Sequence, residues 1–300
     1  DLIKFYIKKS KKENNKEALM YAYRYAGNFS KFPQNIKYAD SALSVGKSSG
    51  NKKLLTEAHL NRSVVYMNES LYQKALDDIL IANKYSNELK DDYTVNSNKY
   101  LIAQNKIYLG LYEDARRELI SCVKYFKDNL ENSTDLGKNY QMLYIYSLMS
   151  YIDTNTKLGK IQENKLQIAE AIAYTKKHQL NQYLPYFISS EGTDAYYEKD
   201  YKKAILKFSE AIRLYNDQWP HITEIYYLGL SHWKLNKHSV AIKYFEELDK
   251  EYEKSKKLNP EFRSAYELLI KYNDSIGNTD KQLEYINKLM SLDRIYEKNF

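Results

Sequence analysis

Two segments of the chain carry one pattern twice: GTDAYYEKDYKKAILKFSEAI from Gly192 to Ile212, and GLSHWKLNKHSVAIKYFEEL from Gly229 to Leu248. In YKKAILKFSEAIRLY, which closes the first and runs on to Tyr215, the residues Tyr201, Ala204, Ile205, Phe208, Ala211, Ile212 and Tyr215 recur at steps of three or one. That spacing makes one apolar face of an α-helix. The segment before it, YLPYFISSEGTDAYYEK, predicts a second helix, and the polar pair Lys199-Asp200 predicts a sharp joint between the two. Related second helices are anchored at Ala75, Ala115, Ala204 and Ala241, with Ala82, Cys122, Ala211 and Leu248 seven residues later. Twelve residues before each anchor stand Ser63, Ala103, Gly192 and Gly229, small enough to let antiparallel helices approach closely. Aromatic rings at Tyr72, Tyr112 and Tyr201, three before the anchor, are placed to cover the joint. A two-helix unit returning about every 40 residues is the signature of a helical solenoid.

Composition agrees. Only 9 Gly and 4 Pro serve 300 residues, too few for many tight β-turns, and no sustained period-two alternation predicts a strand. With 43% hydrophobic and 28% charged residues, the chain is too apolar for disorder and long enough for a large core. The 32 tyrosines suit half-buried surfaces, where an apolar ring carries a polar tip. The formal net charge of +7 comes from 46 basic residues interleaved with 39 acidic ones, as in EELDKEYEKSKK from Glu246 to Lys257. This reads as a solvated helix face rather than a stripe that tracks phosphates, and the basic run Lys8–Lys12 reads as the polar face of a first helix. The fragment is therefore not expected to contact nucleic acid directly.

The repeated residues resemble the tetratricopeptide repeat: a small residue in the first helix, an aromatic after the turn, and alanines seven apart in the second helix. The resemblance implies an all-α, right-handed superhelical solenoid of antiparallel helix pairs, about seven repeats in a single array over residues 1–300. Clearer repeats fall at about 51–130 and 183–254, and degenerate ones at about 1–50, 131–182 and 255–300. The interval exceeds the family's usual repeat of about 34 residues, so longer helices are expected. In such arrays the first helices line a concave groove that takes a peptide or another protein. Carried over residue by residue, the groove positions are Tyr100, Gln104 and Tyr108; Tyr186, Thr193, Tyr196 and Tyr197; and Tyr226, Leu230 and Trp233. Repeats that clamp a terminal carboxylate carry Lys and Asn where this chain has Leu60, Val64, Tyr100, Gln104, Tyr226 and Leu230, so that kind of clamp is not expected.

No catalytic constellation is legible, and the chain is read as a non-enzyme without cofactor or metal. The Gly-Lys-Ser of SALSVGKSSG, Ser41 to Gly50, lacks the earlier glycine and the preceding strand of a phosphate loop, and suits a helix end. His59, His178, His221, His232 and His238 show no ligand spacing and are expected at helix surfaces or joints, the last two flanking one joint. The single cysteine, Cys122, fills a close-packing slot and excludes an internal disulfide. Adjacent acids such as Asp77-Asp78 and Glu246-Glu247 diverge by about 100° on a helix. Asp91-Asp92 favours the start of the next helix. The longest uncharged run, Asn139 to Ile152, is too short and polar to cross a bilayer.

The segment from Tyr226 to Phe300, with LLIKYNDSIGNTDKQLEYINKLMSLD followed by RIYEKNF, resembles the sensor regions of Bacteroidetes AraC-type transcription regulators. In that family an extracytoplasmic repeat array precedes a membrane span and a DNA-binding domain. The resemblance implies a peptide, a protein or a second copy of the chain as partner. It also implies a place on the periplasmic side of the inner membrane, and membrane contact only through a segment beyond this sequence. Since Asp1 is not a Met, the chain is taken as a piece of a longer protein. Three competing readings are a cytoplasmic peptide-receptor regulator, the sensor region of a histidine kinase, and a plain assembly scaffold.

Overall fold

The structure, a computed structural model, describes residues 2–131, 139–215, 221–255 and 262–297, with side chains described at 2–131, 139–215, 221–254 and 262–291. Fifteen α-helices and no strand make up these residues. Two compact units divide them, at residues 1–159 and 160–300. Unit 1 holds α1 (Leu2–Lys12), α2 (Lys16–Asn28), α3 (Gln34–Ser49), α4 (Lys52–Asn68), α5 (Tyr72–Glu88), α6 (Asp92–Tyr108), α7 (Tyr112–Asp128) and α8 (Tyr140–Lys157). Unit 2 holds α9 (Ile161–Lys177), α10 (Leu184–Tyr197), α11 (Tyr201–Tyr215), α12 (Ile222–Lys234), α13 (His238–Ser255), α14 (Arg263–Ser275) and α15 (Thr279–Glu297). The helices α4 to α7 are each 17 residues long, which accounts for the long repeat interval.

One joint recurs. After α4, Ser70 takes a left-handed φ of 59° and Leu71 N–H donates to Tyr66 C=O at 2.8 Å. The same reversal and five-residue closure appear at Lys90, Gly110, Lys199, Asn236 and Gly277. This bonding satisfies carbonyls at the helix end that have no partner further along the helix. A single left-handed residue turns the chain back, so the next helix runs antiparallel to the last. At the starts, Asn51 caps α4 through Lys53 and Leu54 N–H, and Asp91 caps α6 through Thr94 N–H. Gly50, at φ 68°, ends α3 after the Gly-Lys-Ser segment, which is therefore a helix end.

The expected small residues do close the helix pairs. Ser63, Ala75, Ala82, Ala103, Ala115, Cys122, Ala204, Ala211 and Ala241 are each 0% exposed, and Leu248 1%. In unit 2 the two glycines of the first helices are covered by rings. A Cβ on Gly192 would meet Phe208 ring atoms at 3.0 Å, and one on Gly229 would meet Phe245 Cε1 at 2.4 Å. The rings that cover the joints are half-buried; Tyr201 packs on Tyr196 with centroids 5.6 Å apart.

One expectation is overturned. His59 lies inside unit 1, 4% exposed, with Nδ1 2.8 Å from Asp78 Oδ1. Arg62 Nε donates to Asp78 Oδ2 at 2.7 Å, and Arg62 Nη1 to Asp40 Oδ1 at 2.9 Å. His59 and Arg62 stand three apart on α4 and so share the face that meets α5. Asp77, on the other side of α5, bonds Gln73 at the surface, as the divergence of adjacent helix positions requires. The chain exit expected through Arg294–Phe300 has no described side chain, and residues 298–300 lie outside the described backbone, as do Lys256 and Lys257 of the mixed-charge run.

Gly229→Ala forces its Cβ into the Phe245 ring and is expected to cost about 1–3 kcal/mol, as overpacking does. Gly192→Ala, whose added Cβ has 3.0 Å to Phe208, costs less. Urea unfolding of both variants checks the order.

Candidate partner-binding face

First helices form a row in each unit. In unit 1, α2 packs directly on α4 and α6 on α8. In unit 2, α10 packs on α12 and α12 on α14. A side chain on this row is placed by the small residue next to it, because the close helix pair leaves one face of the first helix turned away from its partner.

On α6, Gln104 Nε2 donates to Ser150 Oγ of α8 at 2.6 Å, and Tyr100 is half-buried with its phenol raised by burial. Tyr108 is exposed and stacks on Tyr72 at the start of α5, centroids 4.6 Å apart and planes 6° from parallel. Tyr100 and Gln104 thus meet at Ser150 of α8, while Tyr108 reaches α5. In unit 2, four tyrosines gather in one cluster. Tyr227 sits 5.1 Å from Tyr196, 5.2 Å from Tyr226 and 6.3 Å from Tyr197, measured between ring centroids. Tyr226 and Leu230 are 7% and 8% exposed, and the Tyr226 hydroxyl lies 2.7 Å from Ser264 Oγ of α14. Tyr196 is half-buried, and burial pushes its phenol up to about 12. Tyr197 is 49% exposed, and its hydroxyl stands 3.3 Å from that of Tyr227. Tyr186 and Thr193 are half-buried on α10; Thr193 Oγ1 donates back to Ser189 C=O. Trp233 stands at the far end of α12, stacked on His238 at 4.2 Å across the joint.

Sequence reading passed over three features. Tyr227 is the hub of the cluster, its ring stacked on Phe208 at 5.4 Å; the Tyr-Tyr pair at 226–227 was its signal. In unit 1 a cleft of about 210 Å³ opens between α2 and α4, lined by Arg24, Asn28, Glu57, Leu60, Asn61 and Val64. Asn61 is next to the noted Leu60, yet nothing in the sequence tells that its amide is buried. Third, Asp194 on α10 is 4% exposed; Oδ1 accepts from Asn164 Nδ2 at 3.2 Å and Oδ2 has no partner.

The titrating groups follow their surroundings. Burial pushes the Cys122 thiol up to about 12, opposite to what a nucleophilic thiolate needs. Burial alone would raise Asp78, but hydrogen bonds from His59 and Arg62 outweigh it and hold the carboxyl below its ordinary value. Burial raises Asp194 to about 6, against the Asn164 hydrogen bond and with Glu198 adding to the rise. Among the described residues no group of three or more His, Cys, Asp or Glu is placed to hold a metal ion. No described helix is long and apolar enough to cross a membrane.

No protein-family model matches the sequence, and no curated protein does. Solved structures do match in fold. Aspartyl phosphate phosphatase F from Bacillus subtilis aligns with a TM-score of 0.68 at 15% identity, over 96% of this chain and 74% of that one. A Rap protein complexed with competence and sporulation factor gives 0.60 at 11%, over 95% and 87%. The apo form of the quorum sensor NprR from B. thuringiensis gives 0.60 at 16%, over 94% and 85%. At such identities the likeness establishes the architecture: the chain has an all-helical, tetratricopeptide-like solenoid fold.

Asp194 gives a pH test. An acid whose folded pKa is raised stabilises the fold below its unfolded value, about 3.9, and loses that contribution as pH rises through about 6. Asp194→Asn is therefore expected to raise stability at pH 7.5 by about 2 kcal/mol, with the difference vanishing near pH 4 in thermal melts.

Proposed function

We propose that the chain is a non-catalytic module that binds a peptide or protein partner along its first helices. The observation that carries this is the unit 2 tyrosine cluster. Tyr197 keeps 49% of its surface in solvent while its ring is held against the buried Tyr227. A pre-positioned aromatic anchor gives contact area for little lost rotamer entropy, which is what a binding hot spot requires. The fold likeness to a Rap protein complexed with competence and sporulation factor, and to the quorum sensor NprR, supports the reading.

In its finer form, the module is the sensor region of a membrane-anchored AraC-type regulator, held on the periplasmic side with its effector beyond Phe300. The resemblance of Tyr226–Phe300 supports this. Partner binding would bias one arrangement of the helices over another, by no more than the partner's difference in affinity for the two. A second reading, a cytoplasmic peptide receptor with its DNA-binding helices before Asp1, is favoured by the likeness to NprR.

Tyr197→Ala is expected to weaken partner binding about tenfold, as the loss of a hot-spot ring does, with the melting temperature unchanged; isothermal titration measures the affinity and a thermal melt the stability. Sequencing the gene on both sides, before the Asp1 codon and beyond that of Phe300, separates the two finer readings. An apolar span of about 20 residues followed by a helix-turn-helix supports the membrane regulator, and a helix-turn-helix before Asp1 supports the cytoplasmic receptor.

A further inference from the structure

The first helix pair of unit 1 leaves apolar side chains bare at one end. Leu2, Phe5, Phe29 and Phe32 are 81%, 62%, 80% and 61% exposed, whereas Phe126, Phe187, Phe208, Phe245 and Phe262 are all buried. Topology gathers the exposed ones. Asn14 takes a left-handed φ of 50° and Asn15 N–H donates to Ser10 C=O at 3.0 Å, so α2 runs back along α1 as at the other joints. Leu2 stands ten residues before Lys12 and Ala26 ten after Lys16, each about 15 Å along its helix from the joint. The first turn of α1 and the end of α2, with Phe29 and Phe32 just beyond it, therefore share one end of the pair. A gathering of exposed apolar side chains marks an interaction surface.

Charge collects on the same helices. Residues 1–32 hold eight Lys and Arg against three Asp and Glu, so they carry +5 of the chain's formal +7 and the other 268 residues only +2. Helix α1 has no acidic residue, and its exposed Lys4, Lys8 and Lys12 follow four apart along one stripe, with Phe5 beside it. Lys9 reaches Glu13 at 4.0 Å and Lys11 lies over the Tyr23 ring, but Lys4, Lys8 and Lys12 have no ionic partner among the described residues. Free ammonium groups next to bare apolar side chains call for a partner both anionic and apolar. A second copy of the chain docking face to face would set +5 against +5. A nucleic acid answers the lysines and offers no hydrocarbon to Leu2. An anionic bilayer offers both, with charged headgroups at the level of the ammonium groups and hydrocarbon just below them.

We propose that this end of unit 1 docks on the surface of an anionic lipid bilayer. Leu2, Phe5, Phe29 and Phe32 enter the headgroup boundary, and Lys4, Lys8 and Lys12 pair with the anionic headgroups. The helices rest on the bilayer and do not cross it, since no described helix is long and apolar enough to do so. This contact belongs to the chain itself, apart from any membrane segment beyond this sequence. It lies in the other unit from the tyrosine cluster, so it does not depend on the reading of that cluster.

The test floats the whole chain through a density gradient with two kinds of vesicle, phosphatidylcholine alone and phosphatidylcholine mixed with phosphatidylglycerol. The chain is expected to rise with the mixed vesicles, to stay behind with phosphatidylcholine, and to let go as salt is added. Leu2→Ser with Phe29→Ser removes the two most exposed apolar side chains of the patch. This pair is expected to weaken binding at least tenfold with the melting temperature unchanged; if it melts lower, Leu2→Ser alone decides by the same measure. Lys4→Ala with Lys8→Ala is expected to weaken binding about twentyfold, since each lysine near an anionic surface contributes about fivefold. Failure to float with the mixed vesicles overturns the proposal, and binding of a single-stranded oligonucleotide instead makes the partner a nucleic acid. Equal flotation with both kinds of vesicle overturns it too. A loss confined to the lysine variant reduces the contact to adsorption by charge and overturns the docking of the apolar face. If the free chain sediments as a dimer that Leu2→Ser with Phe29→Ser dissolves, the face belongs to a second copy and the proposal falls.

Discussion

The spacing of paired helices rests on side chains that are missing or nearly so. Where Gly229 of α12 faces Phe245 of α13, a single added carbon would sit 2.4 Å from the ring. At the equivalent place in the other clear repeats stand Ser63, Ala103 and Gly192, all buried. Close approach at these points lets rings and aliphatic chains of the second helix reach across the pair. Protein interiors are packed densely enough that one methyl group too many is felt. Everything the first helices present on their other face follows from how near the second helices stand.

The joints make that approach possible at every repeat. One left-handed residue and one backbone bond spanning five residues end each clear first helix and return the chain. Ser70, Lys199 and Asn236 adopt this conformation although an L side chain pays for it, and Gly110 and Gly277 adopt it freely. The cost is accepted because burial across the helix pair outweighs it. A reversal so short turns most of the surface of these repeats over to helix faces.

Those faces differ between the units. Unit 2 presents an aromatic cluster centred on Tyr227, with buried Tyr226 bonded to Ser264 and Tyr197 left half in solvent. Unit 1 presents a small polar cleft and, behind it, an ion network in which Arg62 ties Asp40 to Asp78 and His59 bonds Asp78. Buried charge of this kind costs desolvation and is retained where it is fully bonded. The network joins α3, α4 and α5 and so fixes the helix that carries Asn61 and Leu60.

The helical class, the two-helix unit, the small contacts from Ser63 to Leu248 and the joint at Lys199-Asp200 were all legible in the sequence. Each depends on local periodicity, and residues three, four and seven apart meet on one helix face whatever else the chain does. The cap at Asp91 and the packing of Cys122 were legible for the same reason. What the sequence could not show depends on which helix lies across from which. Tyr197 and Tyr226 look alike as letters, yet only the packing of α10, α12 and α14 leaves one half exposed and buries the other. His59 looked like a surface histidine until α5 brought Asp78 against it. That Asn61 Nδ2 is buried without a partner was equally hidden, since burial and pairing belong to the contact between distant segments rather than to the residue.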